Sequence, residues 1–317
     1  MYKTKDFDKA LQEKANYIED IMKAYIPKEE GQQKIIFEAM NYSVLGGGKR
    51  IRPLLMMETY LLFDGKHLEW IHPFMVAIEM IHSYSLVHDD LPAMDNDKYR
   101  RGKETTHIKY GETIGILAGD GLLNYAFETA IKAYFDLPND EGNKTFDYKD
   151  RVAKSLQILA NKAGTQGMIG GQVIDTCILE GQSIKGQDTS KLLDDLNHMY
   201  KLKTSGLIQS AMMIGAVLAG ASDKQVSKIE EMANYIGLAF QIQDDILDVS
   251  STSEELGKPV LSDERNEKIT YVSLIGLEKA KDQVKNMSNK SLDIYKEIDK
   301  ANPFLYDLIN KLINRIK

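Results

Sequence analysis

Apolar residues recur at three- and four-residue spacing through most of this 317-residue chain, as at Ile35, Ile36, Ala39 and Met40 and again at Leu192, Leu193, Leu196, Met199 and Leu202. That spacing gathers them on one face of an α-helix, while the period-2 alternation of a half-buried strand is scarce. Breaks fall where helices should end: Gly46-Gly47-Gly48, Phe63-Asp64-Gly65, Leu137 to Asn143, Gly220 to Asp223, and Ser250 to Ser253. Such clusters read as loops. No linker divides the chain into compositionally distinct halves and no fixed repeat occurs. The pattern predicts one all-α domain over residues 1–317, a large bundle of roughly ten or more helices with ligand sites built from side chains on facing helices.

Composition sharpens this picture. Only 7 prolines occur in 317 residues, under half of the roughly 5% of average usage, so helices can run long. Lysine and arginine total 40 against 47 aspartates and glutamates, a formal charge of −7, which argues against a nucleic-acid binder with a broad basic face. The single cysteine, Cys177, cannot close an intramolecular disulfide. Charges at Lys3, Lys5, Asp6, Asp8 and Lys9 occupy the place where a signal peptide needs an apolar run, so a cytoplasmic location is expected. The most apolar stretch, Gly206 to Ala221, is interrupted by Gln209 and Ser210 and is too short for a membrane span.

Two aspartate clusters lie inside apolar helical pattern. In Gln241-Ile242-Gln243-Asp244-Asp245-Ile246-Leu247-Asp248, Asp244 and Asp248 fall about 40° apart around a helix, with Gln241 on the same side. In Asp89-Asp90-Leu91-Pro92-Ala93-Met94-Asp95, a continuous helix would point Asp89 and Asp95 about 120° apart. Pro92 ends the helix and lets Asp95 turn back toward Asp89. His82 lies two turns before Asp89 on the same face. One acidic triplet alone would read as a solvated helix face. Two in apolar surroundings need cations or hydrogen-bond donors, and carboxylate oxygens suit a hard ion such as Mg²⁺.

Positive charge beside glycine complements them at Gly47-Gly48-Lys49-Arg50-Ile51-Arg52-Pro53, Arg100-Arg101-Gly102-Lys103, and Lys203-Thr204 with Leu256-Gly257-Lys258. Lys49 and Arg52 project from one side if Lys49 begins a helix, and the glycines let backbone N–H groups approach an anion. Acidic and basic groups serving one site point to a phosphate-bearing substrate, Mg²⁺ bridging carboxylate to phosphate and arginine gripping phosphate oxygens. No Walker sequence is present.

With these motifs and Gly171-Gln172-Val173-Ile174-Asp175 in order between Gly47 and Tyr271, the chain resembles the trans short-chain prenyl diphosphate synthases of the farnesyl and geranylgeranyl type. The resemblance implies an all-α isoprenoid synthase fold around a central cavity, a homodimer, and condensation of isopentenyl diphosphate with dimethylallyl or geranyl diphosphate. It implies Mg²⁺, three ions per site and replaceable by Mn²⁺, ligated by Asp89, Asp95 and Asp244. Arg100, Lys203, Thr204, Gln241 and Lys258 would contact the allylic diphosphate, with Lys203, Thr204, Gln241 and Lys258 counted as catalytic. Gly48, Lys49, Arg52, His82 and Arg101 would hold isopentenyl diphosphate. Leu261 and Glu267 stand where many members carry glycine, whereas Lys258, Asp263, Lys268 and Thr270 fit the pattern.

Tyr84, five residues before the first aspartate, would line the cavity floor in substrate-bound members; with the Pro92-Ala93 insertion it resembles bacterial farnesyl diphosphate synthases. An ideal helix turns Tyr84 about 140° from Asp89, so simple core packing stays open. His88 reads as packing or a hydrogen-bond donor, His107 and Cys177 as structural, and Met212-Met213 as core. A terpene cyclase would not need Lys49, Arg52 and Arg101, and a noncatalytic regulatory subunit would be expected to lack one aspartate motif.

Overall fold

The computed structural model describes residues 4–136, 143–179, 186, 188–250 and 268–313. Within them the chain is helical, the exception being a two-stranded antiparallel hairpin, β1 (Tyr99–Arg100) and β2 (Lys103–Glu104). The predicted breaks at Gly46–Gly48, Phe63–Gly65 and Gly220–Asp223 are loops or helix ends. Those at 137–142 and 251–253 lie outside the described residues. Backbone contacts group the chain into two compact units, one formed by residues 3–57 and 65–156, the other chiefly by 58–64 and 157–317.

The first unit contains α1 (Thr4–Tyr25), α2 (Lys34–Val44), the start of α3 (Ile51–Leu62), α4 (His72–Asp89), α5 (Thr106–Tyr110), α6 (Glu112–Ala130), α7 (Lys132–Phe135) and the start of α8 (Asn143–Ala163). α4 is apolar on nearly every side and buries Phe74 through Ile81, as a central helix must. Pro73 sits in its first turn, where the missing N–H has no intrahelical partner to lose. α6 buries the small residues Gly115, Ala118 and Gly119, and Gly119 lies against His88 of α4. A side chain on Gly119 would overlap the His88 imidazole. Arg50, just before α3, is 2% exposed. Its guanidinium donates to Glu19 at 2.6 Å, Glu79 at 3.0 Å and the Val44 carbonyl at 2.9 Å. Burial alone would lower its pKa, yet the two carboxylates hold it above its ordinary value, so it serves as a charged pin for α1, α4 and the glycine loop.

The second unit contains the end of α8, α9 (Met168–Val173) running into a π-helical turn (Ile174–Leu179), α10 (Thr189–Lys203), α11 (Ser205–Ala219), α12 (Asp223–Ser250), α13 (Tyr271–Ile275), α14 (Leu277–Glu297) and α15 (Pro303–Ile313). α11 is the apolar stretch of the sequence, and it is buried from Ser205 to Leu218 with Met212 and Met213 in the core. Its polar Gln209 accepts from Lys162 Nζ at 2.7 Å, and the same ammonium donates to Glu230 at 2.6 Å. No single helix among the described residues is long and apolar enough to cross a membrane.

Candidate active site

In the first unit, α4 ends at Asp89 and the chain reverses through Pro92. The Asp95 N–H donates to the Asp89 carbonyl at 2.9 Å, and the Asn96 N–H to the Leu91 carbonyl at 3.1 Å. The turn thus returns Asp95 to Asp89, with both carboxylates half-buried. Asp90, between them, points elsewhere. It is 3% exposed and accepts from Arg100 Nε at 2.7 Å and Nη2 at 2.6 Å. Burial raises its pKa to about 6 against the opposing pull of Arg100. Arg100 is therefore partnered within the fold.

Around the glycine loop, helix α3 starts at Ile51 and not at Lys49. Lys49 lies exposed in the preceding loop and Arg52 in the first turn, so the shared-face argument for that pair does not apply. Gly48 has φ +137°, a conformation that favours glycine, and its missing side chain lets the Arg101 guanidinium lie against it. Arg101 in turn donates to the Gly47 carbonyl, fastening the hairpin to the loop. Burial holds the His82 imidazole well below its ordinary pKa, and Arg52, Arg101, Arg100 and Arg50 add to the effect. These residues form one cationic cluster around a neutral histidine. Arg100 and Arg101 also line a cavity of about 50 Å³ with Ser43, Ser83 and Asp90.

Tyr84 is 5% exposed, its ring set edge-on to His88 with centroids 5.8 Å apart. Burial, aided by the Asp89 charge, pushes its hydroxyl up to about 12, so it stays neutral. His88 donates from Nε2 to the Ile116 carbonyl at 3.0 Å, the packing and donor role read from sequence. His107 bonds Thr105 Oγ1 through Nδ1 at 3.1 Å, and Cys177 is exposed.

The second unit builds a polar cavity of about 100 Å³ from α9–α10, α12 and residues 268–270. Gly171 lets α9 lie so close to the end of α10 that a Cβ would strike the Lys203 backbone. One turn on, Asp175 accepts from Lys203 Nζ at 2.5 Å. Thr204 donates to Gln241 Oε1 at 2.8 Å, and Gln241 Nε2 donates toward Asp245 at 3.4 Å. Lys203, Thr204, Gln241 and Lys268 thus line one hollow with Asp175 and Asp245. Asp244 is half-buried, while Asp245 and Asp248 are each 2% exposed. Lys258, Leu261, Asp263 and Glu267 lie outside the described residues. Roles for Asp90, Asp175 and Asp245 were not assigned from sequence. For Asp245 a signal existed: it shares a helix face with Leu238 and Ile242, and a carboxylate among such neighbours has to find donors.

The polyprenyl synthetase family model matches residues 33–304. The chain belongs to the polyprenyl synthetase family. It is 41% identical to a geranylgeranyl diphosphate synthase of Cyanophora paradoxa over 90% of this chain and 92% of that one. It is equally 41% identical to a farnesyl diphosphate synthase of Geobacillus stearothermophilus, over 86% of each chain. A Helicobacter pylori geranyltransferase, solved with magnesium and isoprenyl diphosphate, superposes with a TM-score of 0.80 at 29% identity and covers 99% of this chain and 98% of its own. Like other polyprenyl synthetases, the protein has the all-α isoprenyl synthase fold and is a trans-prenyltransferase.

Among the described residues no three His, Cys, Asp or Glu side chains converge into a ready-made metal centre. Mg²⁺ is commonly held by one or two carboxylates together with substrate phosphates. Asp89, Asp95 and Asp244, each a partly exposed residue, offer the carboxylate oxygens that this mode of binding uses.

Proposed function

We propose that this trans-prenyltransferase joins isopentenyl diphosphate head-to-tail to dimethylallyl or geranyl diphosphate and makes farnesyl diphosphate, as a Mg²⁺-dependent homodimer of the cytoplasm. The observation that carries the reading is the cavity lined by Lys203, Thr204, Gln241 and Lys268 in a polyprenyl synthetase chain. Two lysines, a hydroxyl and an amide suit a diphosphate. Asp89, Asp95 and Asp244 would hold the ions, which when bound neutralise charge building on the leaving group. Lys203, Thr204, Gln241 and, by resemblance, Arg100 and Lys258 orient that diphosphate and stabilise its negative charge as the allylic carbon–oxygen bond breaks. Gly48, Lys49, Arg52, His82 and Arg101 would hold isopentenyl diphosphate, whose double bond supplies the electron pair for the new carbon–carbon bond. A neutral His82 donates a hydrogen bond without adding a fifth charge to its arginine neighbours. Loss of a proton restores a double bond, and the departing diphosphate is the acceptor the family resemblance implies.

The farnesyl product rests on Tyr84, a buried aromatic suited to stop a growing chain. The near relatives carry both farnesyl and geranylgeranyl names, so a C20 product is the second reading. Incubation of purified protein with isopentenyl diphosphate and each allylic partner, with and without Mg²⁺, is expected to give C15 by mass spectrometry only when the ion is present. C20 product would select the second reading, and no elongation with any metal would defeat both.

A further inference from the structure

Asp245 is a buried carboxylate, 2% exposed, on which three donors converge. Its Oδ2 accepts from Tyr200 Oη at 2.7 Å and from the Tyr271 backbone N–H at 3.0 Å. Its Oδ1 faces Gln241 Nε2 at 3.4 Å. Tyr200 belongs to α10, three residues before Lys203. Tyr271 is the first residue of α13, directly after Lys268, Ile269 and Thr270. Tyr271 also stacks on Tyr200 with centroids 6.0 Å apart and donates through its hydroxyl to Asn197 on α10. One carboxyl group thus joins the helix that carries Gln241, the helix that carries Lys203 and the stretch of chain that carries Lys268.

We infer that Asp245 is a positioning residue that fastens residues 268–271 against α10 and α12, so that Lys268 and Thr270 form a fixed wall of the cavity holding Lys203, Thr204 and Gln241. The inference rests on the reading of that cavity as the allylic diphosphate site. A buried carboxyl group holds its donors because losing them leaves its oxygens unsatisfied away from water. Asp244 and Asp245 are adjacent but a helix turns them about 100° apart. They therefore divide the work, one facing the substrate ions and its neighbour holding the wall.

Proline can remove the one N–H at issue. Tyr271 opens α13, where proline is favoured, and Thr270 before it already has φ −127° and ψ 166°, the extended backbone a following proline requires. Tyr271→Pro and Tyr271→Ala lose the same ring, and only the first loses the N–H. Steady-state kinetics are expected to give Tyr271→Pro a KM for the allylic diphosphate about tenfold above that of Tyr271→Ala, with the KM for isopentenyl diphosphate equal in the two. Equal allylic KM values would overturn the inference. Should Tyr271→Pro fail to fold, Asp245→Ala and Asp245→Asn decide: the asparagine oxygen can still accept from Tyr200 and Tyr271 and is expected to restore most of the allylic KM. If instead both Asp245 variants are equally impaired and need more Mg²⁺, Asp245 is a metal ligand and the inference fails. Lys203→Ala separates the two levels. An unchanged allylic KM there removes the diphosphate reading of the cavity, whereas a raised one with equal Tyr271 variants removes the clamp alone.

Discussion

Burial first, and then Arg52 in α3, Arg50 ahead of it, and Arg100 and Arg101 from the hairpin, disfavour the protonated form of His82. Its folded pKa lies below the unfolded value, so an unfolded chain takes up the proton first as pH drops past about 6.5. Stability from the neutral ring is complete above that value and is lost as pH falls toward the depressed one. Relative to the wild type, His82→Gln is expected to flatten the pH dependence of unfolding free energy below 6.5, by up to about 1.4 kcal/mol per pH unit. Parallel urea-melt profiles at pH 7.0 and 5.5 would show that His82 binds its proton equally in both states. The sequence pointed to His82, Arg52 and Lys49 through their glycine and aspartate neighbours but was silent on Arg50. A run such as Lys49-Arg50-Ile51-Arg52 does not say which cation is buried. That depends on Glu19 and Glu79, 31 and 29 residues away, and such pairings are written in packing and not in spacing.

Pairs of helices carry the next level of constraint. α4 and α6 approach until Gly119 meets the His88 ring, and that ring stands edge-on to Tyr84. On an exposed helix Gly→Ala gains up to about 1 kcal/mol from propensity. Here the methyl has no room, so Gly119→Ala is expected to lose about 1–3 kcal/mol by overpacking. A melting temperature equal to or above the wild type would mean that the helices are less tightly engaged. Tyr84→Ala, on the same face of the problem, is expected to lengthen the product beyond C15 in the mass-spectrometric assay; an unchanged product would assign Tyr84 to core packing alone. The helical character of α2 and α10 was legible because their apolar residues recur at helical spacing, whereas α5, α7 and α13, of four or five residues each, are too short to show a period. Helix starts were less so: α3 begins at Ile51, past Lys49, so the three-residue spacing of Lys49 and Arg52 does not put them on one helix face, and the bond from Arg101 to the Gly47 carbonyl comes from a hairpin that the local sequence does not show. The Pro92 reversal was legible because proline acts locally on the residues beside it.

Across the whole molecule, the described residues form two compact units, and the residues proposed to act are found in both: the paired aspartates of the reversal and the arginine cluster in one, the lysine and glutamine cavity with Asp244 in the other. A ligand that engages only the native arrangement stabilises the fold by about 2.7 kcal/mol at a hundred times its dissociation constant. Inorganic pyrophosphate with Mg²⁺ is the minimal mimic of the leaving group. Carboxylates repel this anion and lysines attract it, so any carboxylate that helps to bind it needs a bridging cation. Pyrophosphate and Mg²⁺ together are therefore expected to raise the melting temperature by about 4 °C, at roughly 1.5 °C per kcal/mol for a chain of 317 residues with about 2.1 cal/mol/K of unfolding entropy per residue, and each alone by much less. Chelation of the metal should remove turnover and this ligand-induced increment while leaving the unliganded melt in place. Asp244→Ala is expected to abolish turnover and the joint stabilisation but keep the helical circular dichroism of the wild type. If pyrophosphate stabilises the protein equally without Mg²⁺, the ion is not the bridge between carboxylate and phosphate, and the lysines and arginines alone bind the leaving group.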